Sequence, residues 1–148
     1  MKATLVTTPA VPSPPNATWS NALLIGSELV MSGVTARANS GSGSDSGVAP
    51  ERNLTSYAQI IAIFGKIEAQ LQAVGGNRRN IIKLTVYLTN MDDKEVLAKA
   101  RQEFFGSSTD HNEIEHLYPC STLIGISQLA FPELTVEIDA LARLDVSL

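Results

Sequence analysis

Ile82-Lys83-Leu84-Thr85-Val86-Tyr87-Leu88-Thr89 alternates apolar and polar side chains, the period-two pattern of a strand with one buried face. On that pattern Ile82, Leu84, Val86 and Leu88 are the core-facing set. Immediately upstream, Leu54, Tyr57, Ile60, Ile61, Phe64, Ile67, Leu71 and Val74 recur at steps of three and four. That spacing puts one apolar stripe on one helical face. Asn53 offers an N-cap and Gly75-Gly76 a stop. Downstream, Asn90 to Asp93 supplies turn and cap chemistry for a second helix, about Lys94 to Phe105.

Further out the pattern turns to strands and loops. Ala3 to Val6 is a short strand candidate, and residues 8–18, rich in Pro, Ser and Asn, read as an extended lead-in. Ala22 to Ile25 and Leu29 to Thr35 are apolar and partly β-branched, and Gly26-Ser27 between them predicts a hairpin. The stretch 38–48, dominated by Gly and Ser, has no apolar anchor and no Gly-Lys-Ser/Thr, so it reads as a flexible loop rather than a phosphate cradle. A polar loop from Gly106 to Tyr118 precedes two more strands, about Ser121 to Ser127 and Thr135 to Leu144. In the last, Val136, Ile138, Ala140 and Ala142 alternate with Glu137, Asp139 and Leu141. The order is strand-strand-strand-helix-strand-helix-strand-strand. An α+β domain follows, with both helices on one face of a single mixed sheet. The opposite face of the sheet is half apolar, which suggests an interface between copies.

The 148 residues are the length of one domain, 1–148, long enough for a core without staples. With 44% hydrophobic and 18% charged residues the chain is an ordinary globular protein, not a disordered one. A net charge of −4 without a basic stripe argues against nucleic acid as a partner. One cysteine gives no disulfide framework for secretion. No apolar run reaches membrane-helix length, and the N-terminus lacks a signal-peptide apolar block. The expectation is a cytoplasmic protein with no membrane partner.

The chemical inventory is short. His111 and His116, with Glu113 and Glu115 between them, offer metal ligands, but a solvated loop is the expected reading and no metal is assigned. Cys120 with a loop histidine would make a nucleophile and base; a lone Cys is more often a small buried hydrophobe. Glu137, mid-strand among apolar residues, either points to solvent or is buried with a partner; alternation favours solvent.

Four segments in order now carry a resemblance. They are Leu29-Val30-Met31-Ser32-Gly33; Ile82 through Asp93; Glu103-Phe104-Phe105-Gly106; and Ser121-Thr122-Leu123-Ile124-Gly125 running on to Leu134-Thr135-Val136-Glu137-Ile138-Asp139-Ala140. Together they resemble the reactive intermediate deaminases, the RidA/YjgF family, also labelled translation initiation inhibitors or endoribonucleases. The match runs over roughly residues 15–145. The resemblance implies a chorismate-mutase-like mixed sheet with two helices on one face. It also implies a homotrimer whose sheets close a central barrel, with a small-molecule pocket at each subunit interface. Characterised members hydrolyse enamines and imines to 2-keto acids and ammonia without a cofactor.

Residue by residue, the resemblance gives Glu137 the role of the acidic, water-activating group. Ser32 matches the pocket serine, with Gly33 allowing close approach, and Trp19 stands where the family has a tyrosine. The family's "P-A-R-S/C-T" arginine, which grips the substrate carboxylate, has no counterpart: the segment here is Tyr118-Pro119-Cys120-Ser121-Thr122, with Cys120 in the arginine's place. Ser121 and Thr122 complete that wall. On the second helix Ala98 and Arg101 replace the usual Asn and Tyr. An arginine there is expected to be a solvated surface residue. The expectation is a deaminase-type hydrolase whose substrate differs from simple 2-imino acids. One alternative is a non-catalytic ligand-binding or chaperone-like trimer. Another is a hydrolase with Cys120 as nucleophile, placed near Glu137.

Overall fold

In a computed structural model of the chain, residues 1–38, 54–106 and 117–148 are described. Strand β1 (Ala3–Leu5) pairs antiparallel with β2 (Ala22–Ile25). A two-residue turn then leads from β2 into β3 (Glu28–Met31), with Ile25 opposite Glu28. Gly26 opens that turn at φ +63°, a conformation only glycine takes without steric cost. The continuous strand expected from Leu29 to Thr35 is instead broken at Ser32-Gly33, and β4 (Val34–Thr35) is a separate short strand.

Helix α1 (Ser56–Gln72) is capped by Thr55, whose hydroxyl accepts from the Ala58 amide at 3.2 Å. Asn53, the expected cap, lies outside the described residues. The helix closes as the sequence predicts: Gly75 takes φ +78° and the Gly76 amide bonds the Leu71 carbonyl at 2.9 Å. Ile60, Ile63, Phe64, Ile67 and Leu71 are buried, each side chain contributing about 1.5–3 kcal/mol of transfer free energy. Ile61, expected on the stripe, is rotated off it and 40% exposed.

Strand β5 (Ile81–Leu88) carries a bulge between Ile81 and Lys83. The extra residue shifts the alternation, so Ile81 rather than Ile82 joins Leu84, Val86 and Leu88 in the core. Helix α2 (Lys94–Phe105) follows with the expected bounds and buries Leu97, Ala100, Phe104 and Phe105. Phe104 stacks on Phe64 at 4.5 Å between centroids, joining the two helices. Strand β6 (Cys120–Gly125) runs parallel to β5, a pairing that needs a crossover, which α2 provides. Strand β7 (Val136–Arg143) lies antiparallel to β5 on one side and to both β3 and β4 on the other.

The result is one mixed seven-stranded sheet in the order β1-β2-β3-β7-β5-β6, with β4 also on β7. Buried residues of the strands and of both helices form one core on one face of it. The other face carries no helix among the described residues. Across it one register row runs Leu5, Leu23, Val30, Leu141, Lys83, Cys120. Its apolar half includes Leu5 and Val30, both exposed in the single chain.

Candidate functional site

The break between β3 and β4 is where the sheet makes room for a carboxylate. Glu137 pairs with Thr35 of β4 and Tyr87 of β5 and projects onto the helix-free face. Its carboxyl lies over the bare Cα of Gly33. A Cβ added there would stand 2.8 Å from Glu137 Cδ, and nearer still to Oε1. Glu137 is half-buried and among the described residues it has no cationic partner. It is neither of the two simple cases open in the sequence. Burial first, and the charge of Asp139 second, push its pKa above the ordinary glutamate value. Tyr87 donates its hydroxyl to Asp139 at 3.3 Å, and burial together with that carboxylate raises its own pKa. A carboxyl with a raised pKa is a stronger base once ionised, suited to taking a proton from water.

Ser32 is held at the same break. Its hydroxyl donates to the Ser20 carbonyl at 2.7 Å and its amide to the Asn21 carbonyl at 2.9 Å. Trp19 is 56% exposed and donates Nε1 to Asn21 Oδ1 at 3.2 Å. Ser32, Gly33 and Glu137 are therefore one cluster, with Trp19 tied to it through Asn21. Lys66 of α1, which sequence reasoning passed over, donates to the carbonyls of Thr35 and Arg37 at 2.9 and 2.5 Å. It pins the chain leaving β4, and burial lowers its pKa. A lysine next to the Ile63-Phe64-Ile67 stripe was the available signal. Tyr87 and Asp139 were missed too, although alternation alone puts both on the face of Glu137.

Cys120, Ser121 and Thr122 form a second cluster on β6. Cys120 is exposed, so its expected place as a small buried hydrophobe is corrected: β6 is an edge strand and nothing among the described residues covers it. Thr122 accepts from Lys83 Nζ at 2.6 Å on the helix-free face. Ser121, on the opposite side of the strand, accepts from Arg101 Nη1 at 2.9 Å. Arg101 is intermediate in exposure and bonded to β6 through a solvent-exposed contact, a surface residue with one strand partner.

The two clusters are separate within one chain. Glu137 is level with Tyr87 and Ile124, and Cys120 lies four residues before Ile124, two strands away. At about 4.8 Å between strands and about 3.3 Å per residue, the two Cα atoms are roughly 16 Å apart. The expected closeness of thiol and carboxylate is not met inside a single chain. His111, His116, Glu113 and Glu115 lie outside the described residues, as does nearly all of the 38–48 loop. Among the described residues there is no group of three or more potential metal ligands, and no helix is long and apolar enough to cross a membrane.

A family model described as endoribonuclease L-PSP matches residues 10–144. A protein of unknown function from Pseudomonas aeruginosa is 44% identical with a TM-score of 0.83, over 99% of this chain and 96% of that one. A Rid-family protein of unknown function from Yersinia pestis is 20% identical with a TM-score of 0.77, over 96% and 99% of the two chains. RidA from an Antarctic Psychrobacter species is 22% identical with a TM-score of 0.73, over 95% and 98%. At that identity the last two are alike in fold.

Proposed function

The chain belongs to the endoribonuclease L-PSP family, the group that also carries the Rid names, and from that premise we propose that it is a deaminase-type hydrolase of reactive enamines or imines. The observation that carries the proposal is the half-buried carboxyl of Glu137 over the bare Gly33, its pKa raised by burial and by Asp139. An ionised Glu137 takes a proton from water as the water oxygen bonds to the imine carbon. The C=N pair moves to nitrogen, which is protonated, and the resulting carbinolamine collapses to a carbonyl as ammonia leaves. Water is the only co-reactant, so no cofactor enters the balance. Ser32, whose hydroxyl is held by the Ser20 carbonyl, adjoins Gly33 at the same break, and Trp19 is tied to that break through Asn21.

The β6 cluster joins this site through a second copy of the chain. About 16 Å separates Cys120 from Glu137 within one chain, while the apolar row on the helix-free face offers a surface on which copies meet. The assembly proposed is a homotrimer around a central barrel, each pocket pairing the Glu137 cluster of one subunit with the β6 edge of the next. With Cys120 in place of the family arginine, β6 offers the substrate no bidentate cation, so simple 2-imino acids are poor substrates. The same substitution favours a second reading, a trimer that binds small molecules without turning them over.

Keto-acid release from imines generated in situ by an amino-acid oxidase separates the two. Activity in wild type that vanishes in Glu137→Ala is the expected result. Silence in wild type across aliphatic and aromatic amino acids, with activity appearing in Cys120→Arg, supports the binding trimer and removes the deaminase.

A further inference from the structure

Helix α1 packs against β4 and reaches the Ser32-Gly33 break at two points. At the first, Gln70 donates Nε2 to the Asn21 carbonyl at 3.3 Å, the same oxygen that takes the Ser32 amide at 2.9 Å. The second lies one helical turn earlier, where Lys66 donates Nζ to the carbonyls of Thr35 and Arg37. Only Gly33 and Val34 separate Ser32 from Thr35. Thr35 pairs with Glu137 across β4 and β7, and Gly33 lies directly beneath the Glu137 carboxyl. The connection to the carboxyl thus runs through the backbone, from a helix on the opposite side of the sheet.

Stability alone does not account for either side chain. Gln70 is 1% exposed and its Oε1 is buried with no protein partner. An unmet buried acceptor costs free energy that an apolar side chain of similar shape would not. Lys66 is half-buried and has no carboxylate partner among the described residues. Desolvation of its ammonium disfavours the charged form. What each gains in return is a hold on one flank of the break.

We propose that Lys66 and Gln70 are positioning residues of the Glu137 site, a two-point clamp that keeps the bare Cα of Gly33 against the carboxyl. With the clamp in place the carboxyl stays enclosed; with either point released, the chain at Ser32-Gly33 recedes and water reaches Glu137. The inference deepens the reading of Glu137 as the water-activating base and rests on it for its kinetic consequence alone.

The Glu137 carboxyl, followed by carbon NMR through a pH titration and assigned with Glu137→Gln, tests the clamp apart from catalysis. Burial and Asp139 set its pKa, and Asp139 and Tyr87, the titratable groups that face it among the described residues, are untouched by the substitutions. Gln70→Leu and Lys66→Met are each expected to lower that pKa, because each lets solvent in. The direction is diagnostic for Lys66→Met: loss of a cation acting through space would raise it instead. Gln70→Leu leaves the Asn21 carbonyl its Ser32 amide, so it is expected to keep the wild-type Tm and carries the test where Lys66→Met does not fold. In keto-acid release, kcat is expected to fall at least about tenfold in both variants, the scale of a small misplacement of a catalytic group. An unmoved titration in either folded variant, or a rise in Lys66→Met, overturns the clamp. Full release in Glu137→Gln removes the deaminase reading instead, and the clamp is then decided by the titration.

Discussion

Replacing Gly33 by Ala tests the Glu137 cluster with the smallest possible change. The new Cβ would stand 2.8 Å from Glu137 Cδ, where an unstrained carbon–carbon contact needs about 3.5–4.0 Å. The carboxyl must therefore move by about an ångström or turn off its rotamer, the latter at a cost of about 0.5–1.5 kcal/mol. Gly33 holds no positive φ, so the alanine backbone fits, and the stiffer unfolded chain returns about 0.4–1 kcal/mol. The two effects nearly cancel, and Tm is expected to stay within about 3 °C of wild type. Catalysis has no such offset: an ångström of misplacement costs roughly 10²-fold in rate. Calorimetric Tm and keto-acid release, measured on Gly33→Ala, Glu137→Ala and the double variant, give a complete cycle. In the double variant the clash is gone, so its activity is expected to equal that of Glu137→Ala alone. Wild-type turnover in Gly33→Ala, or the same loss of stability with and without Glu137, would refute the contact as the basis of the site.

Three further outcomes follow from the same face of the sheet. Glu137 acts as a base only when ionised, so activity is expected to rise with pH through a pKa above the ordinary glutamate value; Asp139→Asn removes one cause of that rise and should move the acid limb of kcat/KM to lower pH, and an unmoved limb would separate Asp139 from the reaction. Because the folded-state pKa exceeds the unfolded one, the folded protein binds more protons in that window. Stability is thus expected to fall as pH climbs from the unfolded to the folded pKa, and Glu137→Gln should flatten the slope in chemical denaturation. Val30→Asp puts a charge in the middle of the exposed apolar row and is expected to turn a sedimenting trimer into a folded monomer; a wild type that sediments as a monomer would refute the interface.

Much of the fold is legible in the sequence because period and burial coincide. The bounds of α2 and the alternation of β7 are visible as written, since each is set by local spacing alone. Departures occur where a neighbour, not the local pattern, decides. The β5 bulge that exchanges Ile82 for Ile81 lies in its register against β7, and the break at Ser32-Gly33 lies where Glu137 fills the space above the chain. The site is legible only in halves. Resemblance picks out Glu137, Ser32 and Cys120 together, whereas the sheet sets Cys120 two strands away, a distance no linear spacing reveals. The Arg101–Ser121 bond is invisible in the sequence because a helix pattern says which residues face outward but not that a strand edge lies beside them.

Strand β7, at the centre of the sheet, is last in chain order. Until it emerges, β1-β2-β3 and β5-β6 have no strand between them, and the apolar side of α1 has only part of its partner surface. A nascent chain stalled before Val136 would present two short open-edged ribbons and an α1 without its β7 partner, a form that invites capture by chaperones or by another ribbon. Insertion of β7 pairs with both ribbons and brings Glu137 over Gly33 in the same event. The carboxyl of the proposed site thus arrives with the strand that completes the sheet, so a chain stalled before Val136 lacks both the finished sheet and the group on which the proposed activity depends.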